Sequence, residues 1–241
     1  MSIGFSIIIP AYNEEHLLPR LLHSIEIARA NYTQNEVEVI VADNSSTDKT
    51  VEIAESSGCK VVTIEKRRIA CARNGGASIA RGEILCFIDA DSQIHPQTFE
   101  KINQTLADKR IIGGATGLYL ERKSLGILLP YYCLMFFSWL TKIDAGVVFC
   151  HRQDFQAIGG YDENLPFAED VAFLFALQRR GFQKKQRLTR LTSVKALGST
   201  RKFDEFGDWH YLLLPFRFAI GFFSSQDKMR EFSDYWYKPN R

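Results

Sequence analysis

The stretch Ile84-Leu85-Cys86-Phe87-Ile88-Asp89-Ala90-Asp91 decides the fold. Its apolar residues, rich in branched and aromatic side chains, read as a short buried strand. Two carboxylates close it, spaced i and i+2. Side chains alternate along a strand, but the chain turns here, so Asp89 and Asp91 can reach one crevice. In open α/β sheets, ligands bind outside the carboxyl ends of the strands. Hard oxygen ligands in that place suit Mg²⁺ or Mn²⁺ holding a substrate diphosphate. The plainer reading is an Asp pair that caps the next helix or lies in solvent.

The same grammar runs upstream. A strand at 5–9 precedes a helix near 14–30, where Leu17, Leu18, Leu21, Leu22, Ile25 and Ala28 form one stripe. A strand at 37–42 follows, and the polar turn Asn44-Ser45-Ser46-Thr47 offers an N-cap for a helix to about residue 57. A strand at 60–64 and a helix at 70–80, closed by Gly82, lead to the strand that carries Asp89. This order predicts an α/β domain with a mostly parallel central sheet and helices on both faces.

The second half is less regular. The pattern predicts a helix at 96–107, a strand at 111–118, a helical apolar segment at 125–140 and a strand at 145–150. A short helix ending at Gly159-Gly160 and a helix at 169–180, ended by Gly181, follow. No linker or repeat divides the chain. The expectation is one domain over 1–241: a nucleotide-binding front half at 1–118, an acceptor-shaping back half at 119–202, and an aromatic-rich extension at 203–241.

Composition narrows the class. The 241 residues are 46% hydrophobic and 24% charged, which fits a globular enzyme and argues against disorder. A net charge of +2 provides no global field for nucleic acid. Cys59, Cys71, Cys86, Cys133 and Cys150 are odd in number and widely spaced, so they read as reduced, mostly buried thiols. The N-terminus runs into a strand without the basic segment of a signal peptide. Cytoplasmic residence is the expectation, with peripheral attachment to the inner face of a membrane as the alternative.

Two more strand ends carry polar residues. The first ends in Pro10-Ala11-Tyr12-Asn13-Glu14-Glu15, where an aromatic ring can stack on a base and a carboxylate or amide can meet its polar edge. Core packing of Tyr12 and helix capping by Asn13 or Glu14 is the alternative. The second ends in Asp43-Asn44, where Asp43 can accept from a uracil imide or a guanine edge. An Asx turn with a helix cap is the alternative there, and it is the reading for Asp48. A further pair, Glu169-Asp170, opens a helix, where acids also suit the helix dipole. Beyond it, Ser199-Thr200-Arg201-Lys202-Phe203 offers cations for a diphosphate or a solvated basic turn. His210 is a weaker candidate metal ligand.

Taken in order, PAYNEE (10–15), VADNSSTDKT (41–50), ARNGGASIARGEILCFIDADS (72–92) and FAED (167–170) resemble the signature of glycosyltransferase family 2, with the GT-A fold. The resemblance spans residues 3–182. It implies an inverting, metal-dependent transfer from a UDP- or GDP-sugar. Tyr12 would flank the base, with Pro10, Ala11 and Glu14 lining the nucleoside pocket. Asp43 and Asn44 would contact the base, although many members carry a second acid at the Asn44 position. Arg73 would lie near the nucleotide, held by a glycine-rich turn at Asn74-Gly75-Gly76. Asp89 and Ala90 would meet the ribose or a water, Asp91 would ligate Mn²⁺ or Mg²⁺, and Arg201 would face the diphosphate. Asp170 would be the general base and Glu169 its neighbour, since an inverting displacement needs a base on the acceptor side.

Rival functions remain. A retaining GT-A transferase shares the front half. A sugar-phosphate nucleotidyltransferase should carry a glycine-rich phosphate loop after the first strand, which PAYNEE lacks. A non-catalytic sugar-nucleotide-binding protein would not need Asp91 and Asp170. The acceptor is unidentified. The segment 125–140 is either a buried helix or an interfacial one that admits a lipid acceptor, because it falls short of the roughly 20 residues that span a bilayer. The basic run Arg179, Arg180, Lys184, Lys185, Arg187 and Arg190 either faces anionic lipid or is solvated. The aromatic tail packs over the acceptor side, forms a homodimer, or touches membrane.

Overall fold

The structure, a computed structural model, describes residues 3–165 and 168–209. His210 and the tail residues Phe222, Phe223, Trp236 and Tyr237 lie outside them, as does Phe167. In chain order the elements are β1 (Ile3–Ala11), α1 (Leu18–Ala30), β2 (Glu36–Asp43), α2 (Thr50–Ser56), β3 (Lys60–Thr63), α3 (Ile69–Ser78), β4 (Ile84–Phe87) and the short β5 (Ser92–Gln93). They continue with α4 (Thr98–Leu106), β6 (Ile111–Ala115), β7 (Leu118–Leu120), α5 (Leu125–Thr141), β8 (Val148–His151) and α6 (Arg152–Ile158). The last four are α7 (Glu169–Gln183), β9 (Arg187–Arg190), β10 (Ala196–Gly198) and α8 (Arg201–Phe206).

Seven strands form one sheet in the order β3-β2-β1-β4-β8-β6-β9. All neighbours run parallel except β8, which is antiparallel to β4 and β6. A small second sheet, β5-β10-β7, flanks it. The alternation of β1 explains the two covered faces. Phe5, Ile7 and Ile9 point to a core shared with α1, α2 and α4. Ile8 points to a core shared with α3, α6 and α7. Successive strands from β1 to β3 step one way, and β4 pairs on the other side of β1. That reversal opens a crevice at the carboxyl ends of β1, β2 and β4.

Several boundaries depart from the periodic reading. The helix expected near residue 14 begins at Leu18, because residues 13–15 are tied to the loop after β2. The polar turn 44–47 does not cap α2, whose N-cap is Lys49. The strand expected at 111–118 breaks at Gly117, which has φ +76, and continues as β7 in the other sheet. Helix α7 passes through Gly181 and ends at Gln183. Gly82 does not close α3. A Cβ there would meet the backbone of Phe5 and Ser6 at 2.6 Å, so the glycine permits close packing on β1. Three of the five cysteines are buried, whereas Cys133 is exposed on α5.

Gly114 shows the same constraint most sharply, because a Cβ there would lie 2.0 Å from the Thr189 carbonyl oxygen of β9. Backbone cannot yield as a flexible side chain can. Gly114→Ala is therefore expected to destabilise the protein by about 1–3 kcal/mol, read as a lower urea midpoint. An unchanged midpoint would refute the close β6–β9 pairing.

Candidate active site

The loop after β1 and the loop after β2 are zipped together. The Asn13 amide N–H donates to Ser46 Oγ (2.9 Å), and the Thr47 N–H donates to Asn13 Oδ1 (2.8 Å). Glu14 N–H donates to Thr50 Oγ1, and Glu15 N–H to Asp48 Oδ2. Asp48 also accepts from the Thr50 N–H at 3.0 Å, the turn role expected of it. Asn13 and Ser45 hold positive φ (54° and 65°), which lets the two loops double back beside the strand ends. Tyr12 is half-buried rather than in the core, and the Arg67 guanidinium sits 4.7 Å over its ring.

Asp43 is buried at the end of β2, level with Ala11, and its carboxylate accepts from the Ser46 N–H at 3.2 Å. Asn44 has another role from the one its position suggested. Its amide donates to the carbonyls of Ile64 (3.0 Å) and Lys66 (2.9 Å), so it pins the loop between β3 and α3. A side chain that has spent both amide hydrogens on backbone has no donor left for a base.

Arg73 also departs from expectation. Asn74-Gly75-Gly76 is not a turn but the middle of α3. The Arg73 guanidinium is buried and donates to Asp89 (2.9 Å), to Glu169 (2.8 Å) and to Asp170. Asn74 helps seat it by bonding Tyr161 in both directions, and the Tyr161 ring lies 5.1 Å from the guanidinium. Tyr161, just after Gly159-Gly160, is thus held in place. The side chain of Tyr161 stacks on Phe173 of α7 at 4.3 Å.

After β4 the chain turns through Asp89, buried Ala90 and Asp91, and the Ser92 N–H donates to the Asp89 carbonyl. Both carboxylates line one cavity of about 460 Å³, together with Arg73, Asp170, Ser199 and Lys202. Its far wall is apolar, built from Leu118, Ile127, Pro130, Tyr131 and Met135. The start of α8 is anchored to the β1 loop: Arg201 donates to both Glu14 oxygens at 2.9 and 3.0 Å and lies 3.7 Å from Asp91. Of the two adjacent cations that the sequence offered for a diphosphate, Lys202 is the one that lines the cavity.

Electrostatics divide the acids. Burial, then the neighbouring carboxylates Asp89 and Glu14, push Asp91 up to about 6 despite Arg201 and Lys202. Burial draws Lys202 down to about 8. In the adjacent pair that opens α7, burial and the charge of Asp170 push Glu169 up to about 7. Burial pulls Asp170 upward, but the Arg73 charge together with hydrogen bonds from Glu169, Arg73 and the backbone outweighs it and holds Asp170 below the usual range. Glu169 is therefore the protonated partner near neutrality and Asp170 the carboxylate. Only Asp170, with 40% of its side chain exposed, reaches the cavity. Among the described residues, no three His, Cys, Asp or Glu side chains gather closely enough to hold a metal ion alone.

Residues 6–125 match the family described as Glycosyl transferase family 2. Putative glycosyltransferase EpsH of Bacillus subtilis is 31% identical over 109 residues, which is 43% of this chain and 30% of that protein. The curated relatives are longer, and the chain matches only 30% and 18% of the length of the first two different ones. Among solved structures, mannosyltransferase PcManGT from Pyrobaculum calidifontis, in complex with GDP-Man and Mn²⁺, superposes with a TM-score of 0.65 at 22% identity. That match covers 82% of this chain and 57% of that one. S. aureus TarS 1-349 in complex with UDP-GlcNAc gives a TM-score of 0.63 at 22% identity, covering 83% and 59%. The fold is GT-A.

An Asp whose folded pKa is raised favours the protonated protein, so stability falls as pH rises from about 4 through about 6. Asp91→Asn should relieve that cost. The ligand-free variant is expected to be more stable than the parent at pH 8, by on the order of 2 kcal/mol, with no gain at pH 4. Equal melting temperatures at pH 8 would contradict the strained carboxylate.

Proposed function

Because residues 6–125 belong to glycosyl transferase family 2, we propose that the protein transfers a sugar from a nucleotide-diphospho-sugar to an acceptor hydroxyl, with inversion at the anomeric carbon. The observation that carries this reading is the cavity that Asp89 and Asp91 line on the donor side and Asp170 on the α7 side. A displacement with inversion needs a base and a leaving-group site on opposite sides of the reacting carbon, and acids from two separate elements of one cavity can fill those two roles.

The base stacks on Tyr12 and meets Asp43, with Pro10 and Ala11 forming the floor beside them. A UDP- or GDP-sugar is the donor class, as in the complexes of TarS with UDP-GlcNAc and of PcManGT with GDP-Man. Asp89 and the turn at Ala90 face the ribose. Mg²⁺ or Mn²⁺ fits Asp91: the ligand is a hard oxygen, its pKa is raised in a way a dication relieves, and too few side chains gather to displace diphosphate oxygens. When bound, such an ion offsets charge on the leaving diphosphate. Arg201 and Lys202 add positive charge on the same side.

Asp170 takes the proton of the acceptor hydroxyl as its oxygen attacks. Arg73 keeps Asp170 ionised and aimed, and protonated Glu169 hydrogen-bonds to it. The apolar wall from α5 receives the rest of the acceptor.

Asp170→Asn is expected to bind UDP or GDP with Mn²⁺ nearly normally and to transfer sugar at least ~100-fold more slowly. Glu169→Gln should lose less. Activity retained in both variants, or a product that keeps the donor's anomeric configuration by NMR, would overturn the inverting mechanism. Tyr12→Ala and Asp43→Ala should each weaken free UDP or GDP by calorimetry, and unchanged affinity would move the base elsewhere.

A further inference from the structure

We propose that the outer face of α5, with Phe182 beside it, docks on an anionic lipid bilayer. The helix has two different sides. Ile127, Pro130, Tyr131 and Met135 face the cavity. Leu125, Leu129, Tyr132, Phe136, Trp139 and Leu140 are exposed, spaced as one stripe along the helix. Phe136 and Trp139, 68% and 59% exposed, stack on each other at 6.2 Å. The stripe continues across a shallow depression rimmed by Trp139, Lys142, Phe182 and Arg187. Phe182 is 71% exposed. Such a contiguous apolar surface marks an interaction site.

Charge selects the occupant. No Asp or Glu occurs between Arg122 and Ile143. The 33 residues from Val171 to Phe203 hold nine Lys or Arg and no acid. The structure sorts that basic run. Arg180 and Lys184 turn inward to Asp154, and Arg190 to Asp144. Lys142, Arg179, Lys185 and Arg187 stay exposed. Aromatic rings next to cations suit the headgroup boundary of an anionic membrane. A second copy would set the same cations against each other.

Length decides between lying and spanning. The 17 residues of α5 extend about 26 Å, and no helix among the described residues is long and apolar enough to cross a membrane. The helix lies along the interface. The cavity is then one helix diameter, about 10 Å, behind the docking face, within reach of an acceptor carried by the bilayer. The docking itself does not depend on the transferase reading.

The test is sedimentation of the full chain with vesicles of phosphatidylcholine alone or mixed with phosphatidylglycerol. The parent should pellet with the mixed vesicles only and be released by high salt. Phe136→Ser/Trp139→Ser should lower partitioning at least tenfold with an unchanged melting temperature, and Lys142→Ala/Arg187→Ala should lower it at least tenfold in low salt. A parent that stays in the supernatant overturns the proposal, as does equal binding to both vesicle types. A double aromatic variant that melts lower, with no vesicle binding by the parent, assigns the face to the chain's own residues 210–241. A parent dimer in light scattering that the aromatic variant abolishes, again without vesicle binding, assigns it to a second copy. Neither result touches the transfer reaction, which sugar-nucleotide binding reads separately.

Discussion

One buried guanidinium joins the parts of this site. Arg73 comes from α3, Asp89 follows β4, and Glu169 and Asp170 open α7. Burying a cation is costly unless its partners are supplied with good geometry, and removing one partner of a buried pair typically costs 3–5 kcal/mol. Here the Asp89 and Asp170 carboxylates and a carboxyl oxygen of Glu169 supply them. The arrangement works both ways, because the acids would repel one another without the cation. The aromatic cluster of Phe87, Phe155, Tyr161 and Phe173 excludes water on its far side. The position of the acceptor-side acid is thus fixed to the donor-side turn through a single residue.

The front half was legible because its physics is local. Apolar runs located every strand of the crevice, and of the strand-end acids Asp89 and Asp91 line the cavity. What escaped was long-range. Arg73 and Asp170 lie 97 positions apart, so no spacing rule could pair them. Gly75 and Gly76 read as a turn because glycine usually serves φ, yet here it serves packing. A Cβ at Gly76 would sit 2.6 Å from Ile8 Cγ2, and one at Gly75 2.2 Å from Ile64 Cδ1. The helix can then press against the sheet without leaving its own geometry. Asn44 was misread for a related reason: its partners are carbonyls twenty and more residues away. The basic run of α7 looked uniform in sequence, whereas Asp154 and Asp144 claim its inward members. In each case a distant partner, not local propensity, decided the role.

The antiparallel β8 has a consequence for how the chain is made. Along the sequence, β6 is synthesised before β8. In the sheet it lies outside β8, and its two neighbours are β8 and β9. When Ile111–Ala115 leaves the ribosome, neither of its native hydrogen-bonding neighbours exists. It must wait at least until His151, and the β4 edge must stay open for β8 to insert. The β1–β4 portion has no such delay, since each of its strands finds a partner already made or soon to follow. Assembly on the ribosome therefore proceeds in two beats, with an apolar strand held unpaired between them. That interval, rather than the finished fold, is where the nascent protein is most exposed to aggregation.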